Sequence, residues 1–326
     1  MKKRRGNYRG SDSDSILRME ISIVIVNYKT RDLLRDCLHS VHGTVRGIAY
    51  EIIVVDNDSN DGSIEMLGKE FPEVRIISNS ENKGFAAAVN QGLKIMKGRY
   101  ALLLNTDTIL FKDAVSSLFS FMEGHPEAAM ACGQLRNADG SKQNSIGNFP
   151  TLITLLMNTS LLEYVFPTRY PSKRHEYKTP IEIDSGIGAC LIVRKEAIDK
   201  VGMLDERYFF FFEETDWARS MRSAGWKVYF VPSANIYHLQ GQSIGKDIRP
   251  RIEFYRSRYR YFRKWYSYPY FLIISSVVVF RLTLNCLSHS GAALATLALN
   301  QKIRIKWVQY CKLIFWHLNG CPDNRK

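Results

Sequence analysis

Six cysteines, Cys37, Cys132, Cys190, Cys286, Cys311 and Cys321, are scattered through 326 residues, and no two form a CxxC pair. That spacing argues against a zinc ribbon or a disulfide scaffold and fits a reducing compartment. The basic start of the chain has no apolar run behind it, so residues 1–19 are expected to be a disordered basic leader rather than a signal peptide. No internal repeat is found. The ten charge-free residues 271–280 are half the roughly 20 that a membrane-spanning helix needs, so an interfacial or re-entrant helix is expected there. Acidic residues are scarce at one end only. Residues 249–326 hold 14 Lys/Arg against 2 Asp/Glu, net +12; residues 1–20 are net +3, and residues 21–248 hold 25 basic and 27 acidic side chains, net −2. A near-neutral body argues against general nucleic-acid binding by the body. A basic, aromatic-rich tail suits an anionic surface, either lipid or nucleic acid.

What is present is alternation. Residues 21–26 are β-branched apart from one serine and end at Asn27-Tyr28. Residues 30–42 have helical spacing through Leu33, Leu34, Cys37, Leu38 and Val41, closed by Gly43. Strands follow at 51–55, 74–77 and 100–104, with a helix over 84–97. Continuous apolar strands alternating with helices predict a mostly parallel sheet covered on both faces. Residues 141–180 lack periodicity and read as a mobile region with one short helix near 151–164. A strand is expected at 189–193, a helix at 213–224, and a last strand at 228–231 closed by Pro232. Domain bounds are set at 1–19, 20–248 and 249–326, the last a helical basic appendage.

Three strand ends carry polar clusters: Asn27-Tyr28, Asp56-Asn57-Asp58 and Asn105-Thr106-Asp107. Each alone is ordinary turn chemistry. Three along one parallel sheet mark the crevice where such sheets bind ligands. A second acidic cluster, Glu213-Glu214-Thr215-Asp216, lies far along the chain and is followed by His238. An acid at a buried strand end suits a divalent metal, and an acid across the cleft suits a base. Together they point to chemistry on a diphosphate-activated substrate. A nucleotidyltransferase would carry a Gly-rich basic loop after the first strand, which Asn27-Tyr28-Lys29-Thr30 is not.

The order VIVNY, VVDNDSNDGS, NKGFAAAVNQG, LLLNTD, DSGIGACLIVRKEAI and GMLDERYFFFFEETDWARS resembles the inverting family 2 glycosyltransferases, over about residues 21–265. Within that family it is most similar to bacterial rhamnosyltransferase-like enzymes of cell-surface polysaccharide synthesis. The resemblance implies an α/β fold of the A type, a single Rossmann-like nucleotide-diphospho-sugar transferase domain. It implies a donor site of Asn27, Tyr28, Asp56, Asn82, Gly84, Phe85, Asn90, Asn105 and Asp107, with Asp56 accepting the pyrimidine N–H. Asn105 stands where the family's metal motif has its first Asp, so only Asp107 keeps a carboxylate there. Asp107 and His238 are implied to hold Mg²⁺ or Mn²⁺. Glu214 is implied as the catalytic base, with Glu213 the alternative, and Asp184, Gly188, Ala189 and Trp217 as the acceptor side. The expected partners are a dTDP- or UDP-linked sugar, first of all dTDP-rhamnose, and a lipid-linked or polysaccharide acceptor, with the tail on the cytoplasmic face of the cell membrane and no nucleic acid. The alternatives are a catalytically degenerate nucleotide-sugar-binding protein on the same fold, or a nucleotidyltransferase.

Overall fold

The computed structural model describes residues 19–239, 248–295 and 299–322, which leaves the expected leader, save its last residue, outside the described residues. The first part alternates strand and helix: β1 (Ile21–Asn27), α1 (Arg31–Thr44), β2 (Tyr50–Asp56), α2 (Ser63–Glu70), β3 (Arg75–Ser78), α3 (Phe85–Ile95) and β4 (Tyr100–Asn105). These strands pair in parallel in the order β3-β2-β1-β4. Both faces of β1 are covered. Ile21, Ile23 and Ile25 join an apolar core with Leu34 and Leu38 of α1, while Val24 joins a second core with Val89 of α3. Each such buried side chain contributes about 1.5–3 kcal/mol.

The middle part departs from alternation. β5 (Thr108–Leu110), α4 (Ala114–Gly124), β6 (Ala128–Arg136), β7 (Ile146–Gly147), α5 (Leu152–Leu156) and α6 (Thr159–Val165) come first. After them come β8 (Ile181–Glu182), β9 (Ser185–Gly186), β10 (Cys190–Arg194), α7 (Lys195–Val201), α8 (Glu213–Ser223) and β11 (Lys227–His238). β10 slots antiparallel between β4 and β6, and β11 lies parallel to β6 and carries β5 antiparallel on its outer side. Six of the nine strands in the main sheet therefore point one way, as a mostly parallel sheet requires. β7 and β9 form a separate pair.

Three local expectations change. Pro232 does not close β11, because the register shifts between Val231 and Asn235 and a bulge there needs no N–H from proline. The single helix expected near 151–164 is two: α5 opens on a Thr151–Thr154 capping box, and α6 opens on Asn158, whose side chain accepts from Ser160 N. The third change lies in the last part, α9 (Arg249–Trp265), α10 (Tyr268–Ala295) and α11 (Gln301–Leu318). The apolar stretch does not stop at Phe280. α10 runs on through Arg281, which donates to the Leu155 carbonyl. Among the described residues α10 is the one helix long and apolar enough, by length and composition, to cross a membrane. α9 is fastened to α8: Lys264 Nζ and Trp265 Nε1 donate to the Asp216 carboxylate at 2.6 and 2.7 Å.

Candidate active site

Register places the polar strand ends side by side. Asn27 lies opposite Asp56, and Val26 lies opposite Asn105. Asn27 is fully buried, and its amide nitrogen donates to Asp56 Oδ2 at 2.7 Å and to the hydroxyls of Ser59 and Ser63 at 2.9 Å, while its oxygen accepts from Thr30 Oγ1 at 2.8 Å. Asp56 also accepts from the Ser59 amide at 3.0 Å, so its carboxylate is held rigidly at the strand end. Asn57 continues the network, donating to Asn82 Oδ1 and the Gly84 carbonyl and accepting from Asn79. Gly84 has φ +85, and a Cβ there would stand 2.7 Å from the Phe209 carbonyl, so only glycine lets these segments meet. Phe85 N donates to that same carbonyl, and the Phe85 ring meets Phe210 edge-on. Tyr28 stands at the surface, 43% exposed.

The second group forms where β5 meets β11. Thr108 pairs with His238, and the Leu239 amide donates to the Asp107 carbonyl at 2.8 Å. This sets His238 Nε2 3.5 Å from Asp107 Oδ1, with both side chains buried. Gln143 decides how the imidazole is used. Its amide nitrogen donates to Asn137 Oδ1 and to the His238 carbonyl, which can only accept. Its oxygen therefore faces His238 Nδ1 at 2.7 Å, and Nδ1 carries the hydrogen. In the neutral ring the Nε2 lone pair then points at a carboxylate. Two electron-pair donors facing each other call for a cation between them, either a proton or a metal ion. Imidazole nitrogen and carboxylate oxygen suit a divalent metal that takes its other ligands from phosphates and water. Among the described residues no group of three or more His, Cys, Asp or Glu is placed to hold a metal ion.

The third group is the start of α8. It follows Phe211 and Phe212, whose φ values of 70° and 69° lie in the left-handed region, a strain of the kind that concentrates at working sites. Both rings are held by Phe254 of α9. No strand precedes the four phenylalanines; they bridge α3 to α9. Glu213 and Glu214 then enter the protein together. Each has one carboxyl oxygen, Oε2, shut off from solvent with no hydrogen-bond partner. Burial pushes Glu214 up to about 7, and burial followed by repulsion from Glu214 pushes Glu213 well above the usual carboxylate range. The two diverge: Glu213 senses Glu253 of α9, whereas the Glu214 side chain lies against Gly188, where a Cβ would meet its Cγ at 3.7 Å. Gly188 precedes Ala189, whose carbonyl accepts from the Asn105 amide at 3.0 Å. One short stretch of backbone thus links Glu214 to the Asn105–Asp107 strand end.

The profile described as Glycosyl transferase family 2 matches residues 22–202, more than half of the chain. The chain belongs to glycosyl transferase family 2. The transferase is 29% identical to the N-acetylglucosaminyl-diphospho-decaprenol L-rhamnosyltransferase of Mycobacterium tuberculosis over 245 residues, 70% of its own length and 78% of the relative's. It is 34% identical over 127 residues to the poly(ribitol-phosphate) beta-glucosyltransferase of Bacillus spizizenii, 37% of its length and 20% of that protein's. It shares its fold with the crystal structure of GalNAc-T7 with UDP, GalNAc and Mn2+ (TM-score 0.54, 16% identity, 73% of this chain and 47% of that one). It also shares it with S. aureus TarS 1-349 (TM-score 0.51, 14% identity, 74% and 64%). The transferase thus spans less than two thirds of either solved chain. Its architecture is the A-type glycosyltransferase fold, and it is a nucleotide-sugar-dependent enzyme.

Not every expected residue of the transferase joins these three groups. Asn90 is buried, and its amide is committed to the Leu204 backbone and to Glu206, so it pins the 204–206 segment instead of facing a donor. Trp217 is a core residue with its indole N–H on the Gly202 carbonyl at 2.8 Å, because the inward face of α8 packs on the sheet. Asp184 accepts from Phe149 N and from Arg169 Nη1, which ties together the two ends of the α5–α6 excursion. The most informative residue that sequence reasoning missed is Gln143. It sits in the aperiodic 141–180 stretch and carries no signal until β5 and β11 bring His238 to it. Asp216 was legible as an acid on α8, but its task is to hold α9.

Proposed function

We propose that this transferase moves a sugar from a nucleoside-diphosphate donor, with dTDP-rhamnose the first candidate, to a hydroxyl of a lipid-linked or polysaccharide acceptor at the cytoplasmic face of the cell membrane. The observation that carries the reaction type is Glu214. It is a carboxyl group tuned to about 7 with a bare oxygen beside the Gly188–Ala189 backbone. A base works best with its pKa near the working pH. The rhamnosyl group and the lipid-linked acceptor are supported by the mycobacterial relative, whose name states both.

In this reading Asp56, held by Asn27 and the Ser59 amide, accepts the hydrogen bond of the pyrimidine ring. Asp107 and His238, steadied by Gln143, would hold Mg²⁺ or Mn²⁺ together with the donor's diphosphate. That ion supplies Lewis-acid neutralisation of the charge on the leaving nucleoside diphosphate. Glu214 takes the acceptor hydroxyl's proton as the oxygen attacks the anomeric carbon from the face opposite the diphosphate. One bond forms as the other breaks, and the configuration inverts.

The test is transfer of labelled sugar from a panel of nucleotide-sugars into the lipid fraction of source membranes, with and without Mg²⁺ or Mn²⁺. Metal-dependent labelling from dTDP-rhamnose is expected. Labelling from a UDP-sugar alone would replace the donor, and none from any donor, with acceptor-competent membranes, would favour a degenerate binding protein.

A further inference from the structure

The exposed large apolar side chains of this chain are unevenly placed. Ile153, Leu156, Leu161, Tyr164, Val165 and Phe166 all stand exposed within 14 residues of the α5–α6 hairpin, and Tyr164 is 85% exposed. The only charged side chain of that hairpin, Glu163, is buried. A second concentration lies on α10 and α11, with Leu272, Phe280, Leu287 and Phe315 among its members. Elsewhere on the catalytic body such residues occur singly, as Tyr28, Ile64 and Ile76 do. Scattered exposure is normal, whereas contiguous exposure marks a contact surface.

The two concentrations adjoin. Leu155 of α5 is buried in one cluster with Phe271, Ile274, Val278 and Leu282 of α10. The Leu152 amide donates to Tyr270 Oη at 2.8 Å, Tyr266 Oη donates to the Pro150 carbonyl at 2.8 Å, and Arg281 caps the Leu155 carbonyl. The buried stripe of α10 runs along the body for about three turns, from Phe271 to Leu282, so this helix lies against the protein instead of standing away from it. From Phe254 to Pro322 the chain contains no Asp or Glu, and the first turns of α11 present Lys302, Arg304 and Lys306 to solvent. An apolar face rimmed by lysine and arginine and free of carboxylates is complementary to an anionic bilayer interface.

Resting on the membrane reading above, we propose that the α5–α6 hairpin is itself a membrane-inserting element. With α10 and α11 it forms one docking face whose occupant is an anionic lipid bilayer. The placement has a purpose for the reaction. Asp184 ties both ends of the hairpin, through Phe149 and Arg169, to the segment that leads through Gly188 to Glu214. A bilayer seated on the hairpin therefore adjoins the segment beside the base, where a lipid-linked hydroxyl must arrive.

The experiment is flotation of the full chain with vesicles of phosphatidylglycerol and phosphatidylcholine, and with phosphatidylcholine alone. Wild type is compared with a Leu161→Ser, Tyr164→Ser, Phe166→Ser triple variant, all exposed positions. Tyr164→Trp is added with bromine-labelled acyl chains as a depth probe. Soluble nucleotide binding and the circular dichroism spectrum serve as fold controls. The expected result is at least tenfold weaker partition of the triple variant into anionic vesicles with unchanged nucleotide binding, and extra quenchable emission from the added tryptophan. If wild type binds anionic vesicles and the triple variant binds them equally, the hairpin proposal is overturned while the membrane reading stands. No binding by wild type to either vesicle removes both. If wild type dimerises in solution and the triple variant only breaks the dimer, the face belongs to a second copy of the chain and the proposal is wrong.

Discussion

The proposed donor and acceptor sides of this site are built on opposite principles. At the ends of β1 and β2, on the proposed donor side, the buried amides and the Asp56 carboxylate are satisfied: Asn27 binds Asp56, Ser59, Ser63 and Thr30, and Asn57 binds Asn79, Asn82 and Gly84. On the acceptor side Glu213 and Glu214 each leave a buried oxygen unpaired, and they are launched from two consecutive left-handed phenylalanines. A satisfied network is rigid and suits recognition of a fixed shape. An unsatisfied, strained carboxyl pair destabilises the fold and is reactive for the same reason. Altering the carboxyl pair should therefore cost catalysis and spare stability, whereas altering the satisfied network should cost stability and donor binding and spare the chemical step.

The sharpest separation comes from Glu214→Gln. Transfer should fall by about 10²–10⁴-fold, the usual worth of a general base, with donor affinity unchanged. In the wild type kcat should climb with pH through about 7 as the carboxyl ionises. Stability should move the other way. The folded-state value lies above that of the unfolded chain, so the neutral group's favourable contribution is complete below the ordinary carboxylate range and is lost as pH rises through about 7. Thermal unfolding between pH 5 and 8 should thus show a steeper decline in the wild type than in the glutamine variant, where Glu213 is the one raised carboxyl left of the pair. If Glu213→Gln abolishes transfer while Glu214→Gln does not, the two roles must be exchanged.

Gln143→Leu tests the metal edge between the two sides. Removing the acceptor from His238 Nδ1 frees the ring to carry its hydrogen on Nε2, facing Asp107. Partners of this kind are typically worth about 10–100-fold in metal affinity. Mn²⁺ binding, followed by electron paramagnetic resonance in the presence of nucleoside diphosphate, should weaken by that range, and the His238 nitrogen shifts should report the other tautomer. Unchanged shifts would show that Gln143 only fills space.

Much of the donor side was legible in the sequence, and the reason is local. β1, β2 and β4 are continuous apolar runs ending in Asn or Asp, and parallel register alone aligns Asn27, Asp56 and Asn105. The acid pair at the start of α8 was equally visible. Long-range pairings carried what was hidden. The short β5 has no periodicity of its own, yet its pairing with β11 sets His238 beside Asp107 and brings Gln143 into the site. The partners of Asn90 and Trp217 were hidden because a helix residue's neighbours depend on which face meets the sheet. The length of α10 was hidden behind Arg281, a charge that would break an apolar run but here finds the Leu155 carbonyl.

Gly84→Ala is expected to act on the donor side through the backbone. With φ +85 and ψ 170 it occupies a region that is essentially glycine's alone, at a strain of about 1–3 kcal/mol for any other residue. The added methyl would also push Phe209 away, since its Cδ2 stands 2.6 Å from the new carbon. The melting temperature should fall at every pH, and donor KM should rise while kcat at saturation changes little.

The smallest effect expected is Asn27→Ala, and it is the cleanest probe of the satisfied side. The substitution removes an amide whose nitrogen serves Asp56, Ser59 and Ser63, and it leaves buried hydroxyls and one carboxylate oxygen short of a partner. Such a loss costs about 1–3 kcal/mol. Because Asp56 keeps the Ser59 amide at 3.0 Å, its carboxylate should stay near the strand end, and donor binding should weaken without vanishing. Denaturant unfolding should show a lower midpoint with an unchanged slope. The pH-rate profile should keep its rise through about 7, since nothing near Glu214 has changed. A shifted pH-rate profile would mean that the two sides are coupled through the sheet, and the contrast between a recognising half and a reactive half would have to be abandoned.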